Sequence, residues 1–243
     1  IKDPLIIEDR MRAAKLGFND YIYVMVISAD KSEQDNTVLQ YLIKRIMEIL
    51  KENKAVIYQN SIVMIITRNK GNPLQKDDLK GLIPYLRENR LYVGISSHFE
   101  HFSDLYKYYL QALKCLKIGL HLHKEKSIYS YEEYGIYQIM DICSAADNIL
   151  NFCHQAMIDL SIYDRRNGTN LAYTLYTYLK NMQKQQETSD ELSIYRSTLV
   201  RRINLIKKIT NIHLNDENLS FHLRLTYKIL EYIGYIKTKK RIL

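Results

Sequence analysis

The spacing of apolar residues along this chain changes character once, near residue 134. Upstream, β-rich runs alternate with helical spacing. Residues 20–28 (DYIYVMVIS) are almost continuously apolar and predict a central strand covered on both faces. Leu39, Leu42, Ile43, Ile46 and Leu50 recur at intervals of three and four, which predicts an amphipathic helix over 39–50. Two short β-rich runs, 55–58 and 62–67, flank Gln59-Asn60-Ser61 and predict a tight hairpin. A helix over 73–87, a strand over 91–96, a helix over 103–120 and a strand over 128–131 complete this half.

The resulting order is β-α-β-β-α-β-α-β, a sheet with helices packed on it. The hairpin in its middle points to a ferredoxin-like or nucleotidyl-cyclase-like arrangement. Downstream the pattern is helical throughout. Helices are predicted over 134–142, 144–160 and 170–180, the last capped by Thr169 after a DRRNG turn at 164–168. A polar loop over 183–186, a helix-turn-helix over 188–214 and a final helix over 218–236 follow. Residues 5–17 read as the end of another helix, stopped by Gly17. The fold class is therefore α+β. The expected parts are the end of a linker helix (1–18), an α/β domain (19–133), a helical connector (134–180) and a helix-turn-helix domain (181–243).

The stretch 188–214 carries the most specific chemistry. Leu199, Ile203 and Ile206 lie at i, i+4 and i+7, on one helix face, and Leu192 and Ile194 can pack against them. Ser189 is small enough to let the two helices approach closely. The opposite face presents Arg196, Ser197, Val200, Arg201, Asn204 and Lys207. Arg grips guanine edges bidentately, Asn reads adenine, and Ser, Thr and Lys suit phosphates. Arg196, Ser197, Thr198, Arg201 and Asn204 are thus expected to approach the major groove of double-stranded DNA. Arg202, Lys207 and Lys208 are expected mainly to neutralise phosphate. Helix-turn-helix proteins commonly read paired half-sites, so a homodimer is expected.

Charge sharpens this picture. Of the chain's net +8, the segment 181–243 carries +6, from twelve Lys and Arg against six Asp and Glu. Concentrated positive charge favours a polyanion; at the terminus Lys237, Lys239, Lys240 and Arg241 also fit a solvated tail. No apolar run reaches the roughly 18 residues a bilayer span needs, and the acids and Pro4 at the start do not resemble a signal peptide. The first residue is Ile1, so the chain is expected to be a piece of something longer. Cys115, Cys143 and Cys153 are widely spaced, which fits a reducing cytoplasm better than a disulfide framework.

This region resembles the C-terminal helix-turn-helix of the PucR/CdaR-type bacterial transcription regulators. The family's Tyr-Asp pair and Leu…Thr-Leu…Tyr-Leu helix have counterparts in Tyr163-Asp164, Leu171, Thr174-Leu175 and Tyr178-Leu179. Its second helix, roughly His-Arg-Asn-Thr-Leu-x-Tyr-Arg-Leu, corresponds to the stretch from Tyr195 to Ile203. Its closing Thr-Gly-x-x-Leu corresponds to the stretch from Thr210 to Leu214. Tyr195, Ser197 and Arg201 depart from the family's His, Asn and Tyr, which bears on the operator and not on the fold. Upstream, Val93-Gly94-Ile95, the helix around Tyr109 to Gly119 and the run from Tyr131 to Tyr137 resemble the family's middle domain. That domain is similar to the GGDEF fold of diguanylate cyclases. The resemblance implies a regulator with a degenerate GGDEF-like domain and a small-molecule effector sensed there or in an absent N-terminal part.

An enzyme is not expected. A working cyclase needs Gly-Gly-Asp/Glu-Glu-Phe at the hairpin, glycines for close approach and carboxylates for Mg²⁺. Tyr58-Gln59-Asn60-Ser61-Ile62 has neither glycine nor carboxylate, and Asp30, just after the first strand, has no obvious acidic partner. His121 and His123, two apart on a helix, do not face each other. His98 and His101 around Glu100 suit a turn, and Cys153-His154 point to different faces. No metal or cofactor is expected. The alternative to a DNA-binding regulator is an effector-sensing or protein-interaction module without DNA binding of its own.

Overall fold

The computed structural model describes residues 21–29, 36–51 and 54–236. The expected helix over 5–17, Asp30 and the terminal cations from Lys237 to Arg241 lie outside them. The chain divides into two compact units, residues 1–138 and 139–243.

The first unit is built on a five-stranded sheet of order β2-β3-β1-β4-β5. Strand β1 is Tyr21–Ala29, β2 Ala55–Tyr58, β3 Ser61–Arg68, β4 Leu91–Ile95 and β5 Ile128–Ser130. All pairs are antiparallel except β4–β5, which is parallel. Central β1 is buried continuously from Ile22 to Ile27, as a strand covered on both faces requires. Met25, Ile27, Ile62, Met64 and Ile66 meet Leu39, Leu42 and Ile46 of helix α1 (Asn36–Leu50) in the core of one face.

Helix α3 (Leu105–Leu122) packs on β4 and β5 at close range. A Cβ at Gly94 would lie 2.1 Å from the Ala112 carbonyl oxygen, and one at Gly119 would lie 2.1 Å from the Tyr129 ring. These two glycines therefore set the distance between helix and sheet. The hairpin turn is tighter than the three residues expected. Ser61 pairs with Tyr58, and only Gln59 and Asn60 turn, both at positive φ (47° and 58°), the signature of a type I′ turn.

Two predicted helices differ in the fold. Residues 73–87 form a 3₁₀ segment, Lys76–Leu82, followed by a short helix α2, Ile83–Glu88. Pro84 sits in the first turn of α2, where its missing N–H costs nothing. The predicted break near residue 143 is absent. Helix α4 runs unbroken over Tyr131–Ala146, and the interruption comes later, at a 3₁₀ turn Ile149–Phe152 that Asn148 caps.

The second unit contains helices α5 (Gln155–Asn167), α6 (Leu171–Lys180), α7 (Gln185–Leu192), α8 (Arg196–Thr210) and α9 (Glu217–Tyr232). Met157, Leu160, Leu171 and Leu175, from the stretch expected to be a connector, share one core with Leu199, Ile206, Leu223 and Tyr227. Neither α5–α6 nor α7–α8 alone could bury both sides of this core.

Capping also departs from expectation. Thr169 does not cap α6. Asp164, at the end of α5, reaches across the turn instead: its two carboxylate oxygens accept the Leu171 and Ala172 N–H groups at 2.7 and 2.9 Å. Thr169 supports the cap by donating its hydroxyl to Asp164 at 2.5 Å. A carboxylate there meets both the open donors and the positive end of the helix dipole. Gly168, at φ 65°, makes the reversal that brings Asp164 back.

Candidate nucleic-acid interface

The two helices of the motif are held by small polar residues below and a tight turn between. Thr188 and Ser189 of α7 are buried, and each bonds its hydroxyl to a carbonyl of the preceding turn, Lys184 and Gln186, at 2.6 and 2.9 Å. Their short side chains leave no polar atom unsatisfied and let α8 come close. Helix α7 ends on Ser193 in the left-handed conformation (φ 52°), and the Ile194 N–H returns to the Ser189 carbonyl at 3.0 Å. Leu192 and Ile194 pack on the core from either side of that residue.

Helix α8 follows at once. Leu199, Ile203 and Ile206 are buried in the shared core, each stabilising by about 1.5–3 kcal/mol as a buried aliphatic side chain. With that stripe fixed, the opposite face is exposed: Arg196, Ser197, Val200, Arg201, Asn204, Lys207 and Lys208 all point to solvent, and Thr198 is half-buried. Arg201, Lys207 and Lys208 make no side-chain hydrogen bond or ion pair among the described residues. The first turn of α8 holds no acid, and Tyr195 supplies no side-chain cap. Its open N–H groups and dipole end are therefore available to an anion.

Arg202 sits apart from the exposed set. It lies on the flank of the buried stripe, half-buried, and its Nη1 donates to Thr174 Oγ1 on α6 at 3.1 Å. The phosphate role expected of it competes with this inward bond. Two further residues were not counted among the expected contacts. Gln185, expected in a loop, begins α7 and its Oε1 accepts from Arg196 Nε at 2.8 Å, which orients the guanidinium. Tyr195, at the mouth of the turn, is 85% exposed. Its replacement of the family's His was the available signal; nothing local marks Gln185.

The loop after α8 accounts for another departure. Where the family has Gly, Asn211 adopts the left-handed conformation (φ 51°), which Asn tolerates better than other residues with a Cβ. Leu214 then returns to the core, and Asp216 caps α9 through the Asn218 and Leu219 N–H groups. On α9, Lys228 pairs with buried Glu231 at 2.9 Å. Burial works against the Lys228 charge, but Glu231 outweighs it and holds the ammonium above its ordinary pKa. Tyr227 stacks on Tyr176 at 4.3 Å, and burial pushes its hydroxyl pKa up.

The other candidate residues are dispersed. His121 is exposed, while His123 is buried and shares a 2.9 Å hydrogen bond with the Tyr134 hydroxyl. Glu100 pairs with Lys70, and His98 lies against the Tyr21 ring. His154 caps α5, its Nδ1 accepting the Ala156 N–H at 3.2 Å. Burial raises the Cys153 thiol. At the hairpin, Gln59 accepts from the Tyr109 hydroxyl at 3.2 Å, and the Tyr58 and Tyr109 rings meet edge to face. The tip residues Tyr58, Gln59 and Asn60 are nevertheless exposed. No helix among the described residues is long and apolar enough to cross a membrane.

An α+β sheet domain followed by a helical domain with a helix-turn-helix defines a class, and comparison with known proteins gives it a name. Residues 2–118 match the GGDEF-like domain family, and residues 171–229 match the PucR C-terminal helix-turn-helix domain. The chain thus matches a GGDEF-like domain followed by a PucR-type helix-turn-helix domain. It is 30% identical over 127 residues to the proline-responsive transcriptional activator PutR of Bacillus subtilis, covering 52% of this chain and 31% of that protein. It is 24% identical over 217 residues to the DNA-binding transcriptional activator AdeR of the same organism, covering 86% and 51%. The chain thus spans about half or less of these relatives. Both are transcriptional activators. A solved regulator of polyketide synthase expression from Bifidobacterium adolescentis aligns over 92% of this chain and 85% of its own, at 13% identity. Its TM-score of 0.35 is too low to bear on the fold.

Proposed function

We propose that this chain is the DNA-binding part of an effector-responsive transcription regulator that works in the cytoplasm as a homodimer on double-stranded DNA. The observation that carries the reading is the exposed face of α8. Arg196, Ser197, Arg201 and Asn204 project from a helix whose other face is fixed in a core. Arg196, Arg201 and Asn204 reach base edges, while Ser197, Thr198, Lys207 and Lys208 hold phosphate. Arg202 divides its donors between Thr174 and the backbone of the DNA. The PucR helix-turn-helix match supports this reading, as does the similarity to two transcriptional activators. In the homodimer two copies of α8 enter successive major-groove half-sites. The GGDEF-like domain, or sequence preceding it, senses the effector.

The test is selection of bound fragments from bacterial genomic DNA at near-physiological salt, with an Arg196→Ala/Arg201→Ala double variant alongside. The expected result is an inverted repeat enriched by the unaltered protein alone. Its affinity should fall as salt rises, with a log–log slope of about −0.9 per phosphate neutralised. Two folded proteins that both enrich nothing would overturn the reading in favour of a protein-interaction module.

A further inference from the structure

Arg196 leaves the turn with one of its donors already committed. It is the first residue of α8, and its Nε donates at 2.8 Å to Oε1 of Gln185, the first residue of α7. Both helix starts are anchored from below. Thr188 and Ser189, one turn along α7, are buried, and Leu199, one turn along α8, is buried in the shared core. The bond therefore joins two side chains whose backbone positions the packing has already set.

The chemistry of the two groups then fixes how Arg196 faces outward. A guanidinium carries five N–H donors in a planar fork and no acceptor. It offers a bidentate partner either Nε with one Nη, or Nη1 with Nη2. Gln185 occupies Nε, so the pair of parallel donors that remains is Nη1 and Nη2, at the far end of the side chain. Arg196 has no other hydrogen bond and no ion pair among the described residues. Its partner is also neutral. Lys180 and Lys184, close by in sequence, are paired with Glu191 and Glu187. Arg196 is held in place without a carboxylate to offset its charge.

Two parallel donors are complementary to two adjacent acceptors. In the major groove guanine alone presents them, as O6 and N7. Adenine sets a donor beside its acceptor, cytosine offers a donor, and thymine sets a methyl beside its acceptor. Building on the DNA-binding reading above, we propose that Arg196 reads a guanine end-on through Nη1 and Nη2, and that Gln185 is the positioning residue that determines this specificity. Holding one rotamer before binding lowers the ordering cost of the contact and removes the alternative donor pair. Without Gln185 the charge of Arg196 persists, but its direction is lost.

The test is binding-site selection from a duplex library with a randomised core, using four full-length forms of the chain: unaltered, Arg196→Ala, Gln185→Ala and Gln185→Glu. The unaltered protein should select a guanine in each half-site that Arg196→Ala no longer selects, which assigns that base to Arg196. Gln185→Ala, with Arg196 intact, should lose preference at that position by at least about fivefold, the lower bound for a bidentate base contact. Preferences elsewhere in the site should change by less than about twofold, and the melting temperature should stay the same. Gln185→Glu keeps the acceptor, so it should keep the guanine preference while its added charge lowers overall affinity. Replacing that guanine by 7-deazaguanine, in which carbon takes the place of N7, should weaken the unaltered protein and leave Gln185→Ala almost unaffected. A different base at the position lost in Arg196→Ala would overturn the inference. So would a guanine preference undiminished in Gln185→Ala, or an even loss at all positions, the mark of a merely structural role. These three outcomes leave DNA reading intact. Selection of no sequence by the folded, unaltered protein overturns that reading, and this inference with it.

Discussion

Two tight reversals in this chain look alike in backbone and differ in what they present. The β2–β3 hairpin turns on Gln59 and Asn60, and the α7–α8 turn on Ser193; all three residues are left-handed without being glycine. At the hairpin the tip residues Tyr58, Gln59 and Asn60 are exposed but uncharged. Gln59 meets Tyr109, Tyr58 packs on the same ring, and no carboxylate is present. At the helical turn the side chains turn outward, and the next fifteen residues form a helix with an exposed cationic face. The hairpin keeps its backbone without the glycines and carboxylates of a working cyclase, while α8 keeps an exposed cationic face. Backbone geometry survives on packing alone, whereas a function survives only where particular side chains face solvent or ligand.

The comparison can be broken most forcefully through the core beneath α8. Leu199→Ala should destabilise the helical unit by about 2–5 kcal/mol, the range for a fully buried leucine, as measured by chemical denaturation. DNA affinity per folded molecule should stay the same; a drop in that affinity would mean that the buried face also shapes the reading face. Arg201→Ala should do the reverse. It should weaken specific binding by about 1–3 kcal/mol and leave the melting temperature nearly unchanged. A matched Gln59→Ala change at the hairpin should alter neither operator affinity nor its salt dependence. Any effect on binding would erase the distinction between the two turns.

Smaller effects sharpen the contrast. Asp164→Ala should cost about 1–2 kcal/mol, because two N–H groups of α6 lose their acceptor. Thr169→Ala should cost less, since Thr169 only supports that carboxylate. The smallest effect is on pH dependence. Burial, with the His222 ring close by, lowers the His154 pKa below its ordinary 6.5. The neutral ring that caps α5 is thus favoured by folding, and the unfolded chain binds the proton more readily. The contribution is fully present above about pH 6.5 and is lost as pH falls towards the folded-state value. A His154→Asn variant, which keeps a cap but cannot titrate, should show a shallower fall in melting temperature between about pH 7 and pH 5.

The periodicities were enough for the strand order in sequence, the central position of β1 and the buried stripe of α8, because each depends on spacing within one element. The exposed face of α8 was equally legible as the complement of that stripe. Contacts between elements were not. Asp164 was overlooked as a cap because it lies beyond a turn, seven and eight residues from the groups it serves. Arg202 counted with the exposed cations until Thr174 was brought beside it from a different helix. Gln185 looked like loop, since its role exists only once α7 and α8 are packed.

By itself, then, the amino-acid sequence determined the α+β class, the family resemblance and the polarity of α8. Local spacing decides which residues share a face, and apolar faces must be buried. Only the tertiary structure decided which side chains α8 spends inward and which it leaves free. Only there do Gln185 of α7 and Arg196 of α8 meet, 11 positions apart in the sequence. The physical reason is common to both. Hydrogen bonds and ion pairs are short-ranged and directional, so their partners are fixed by packing between elements and leave no periodic trace along the chain.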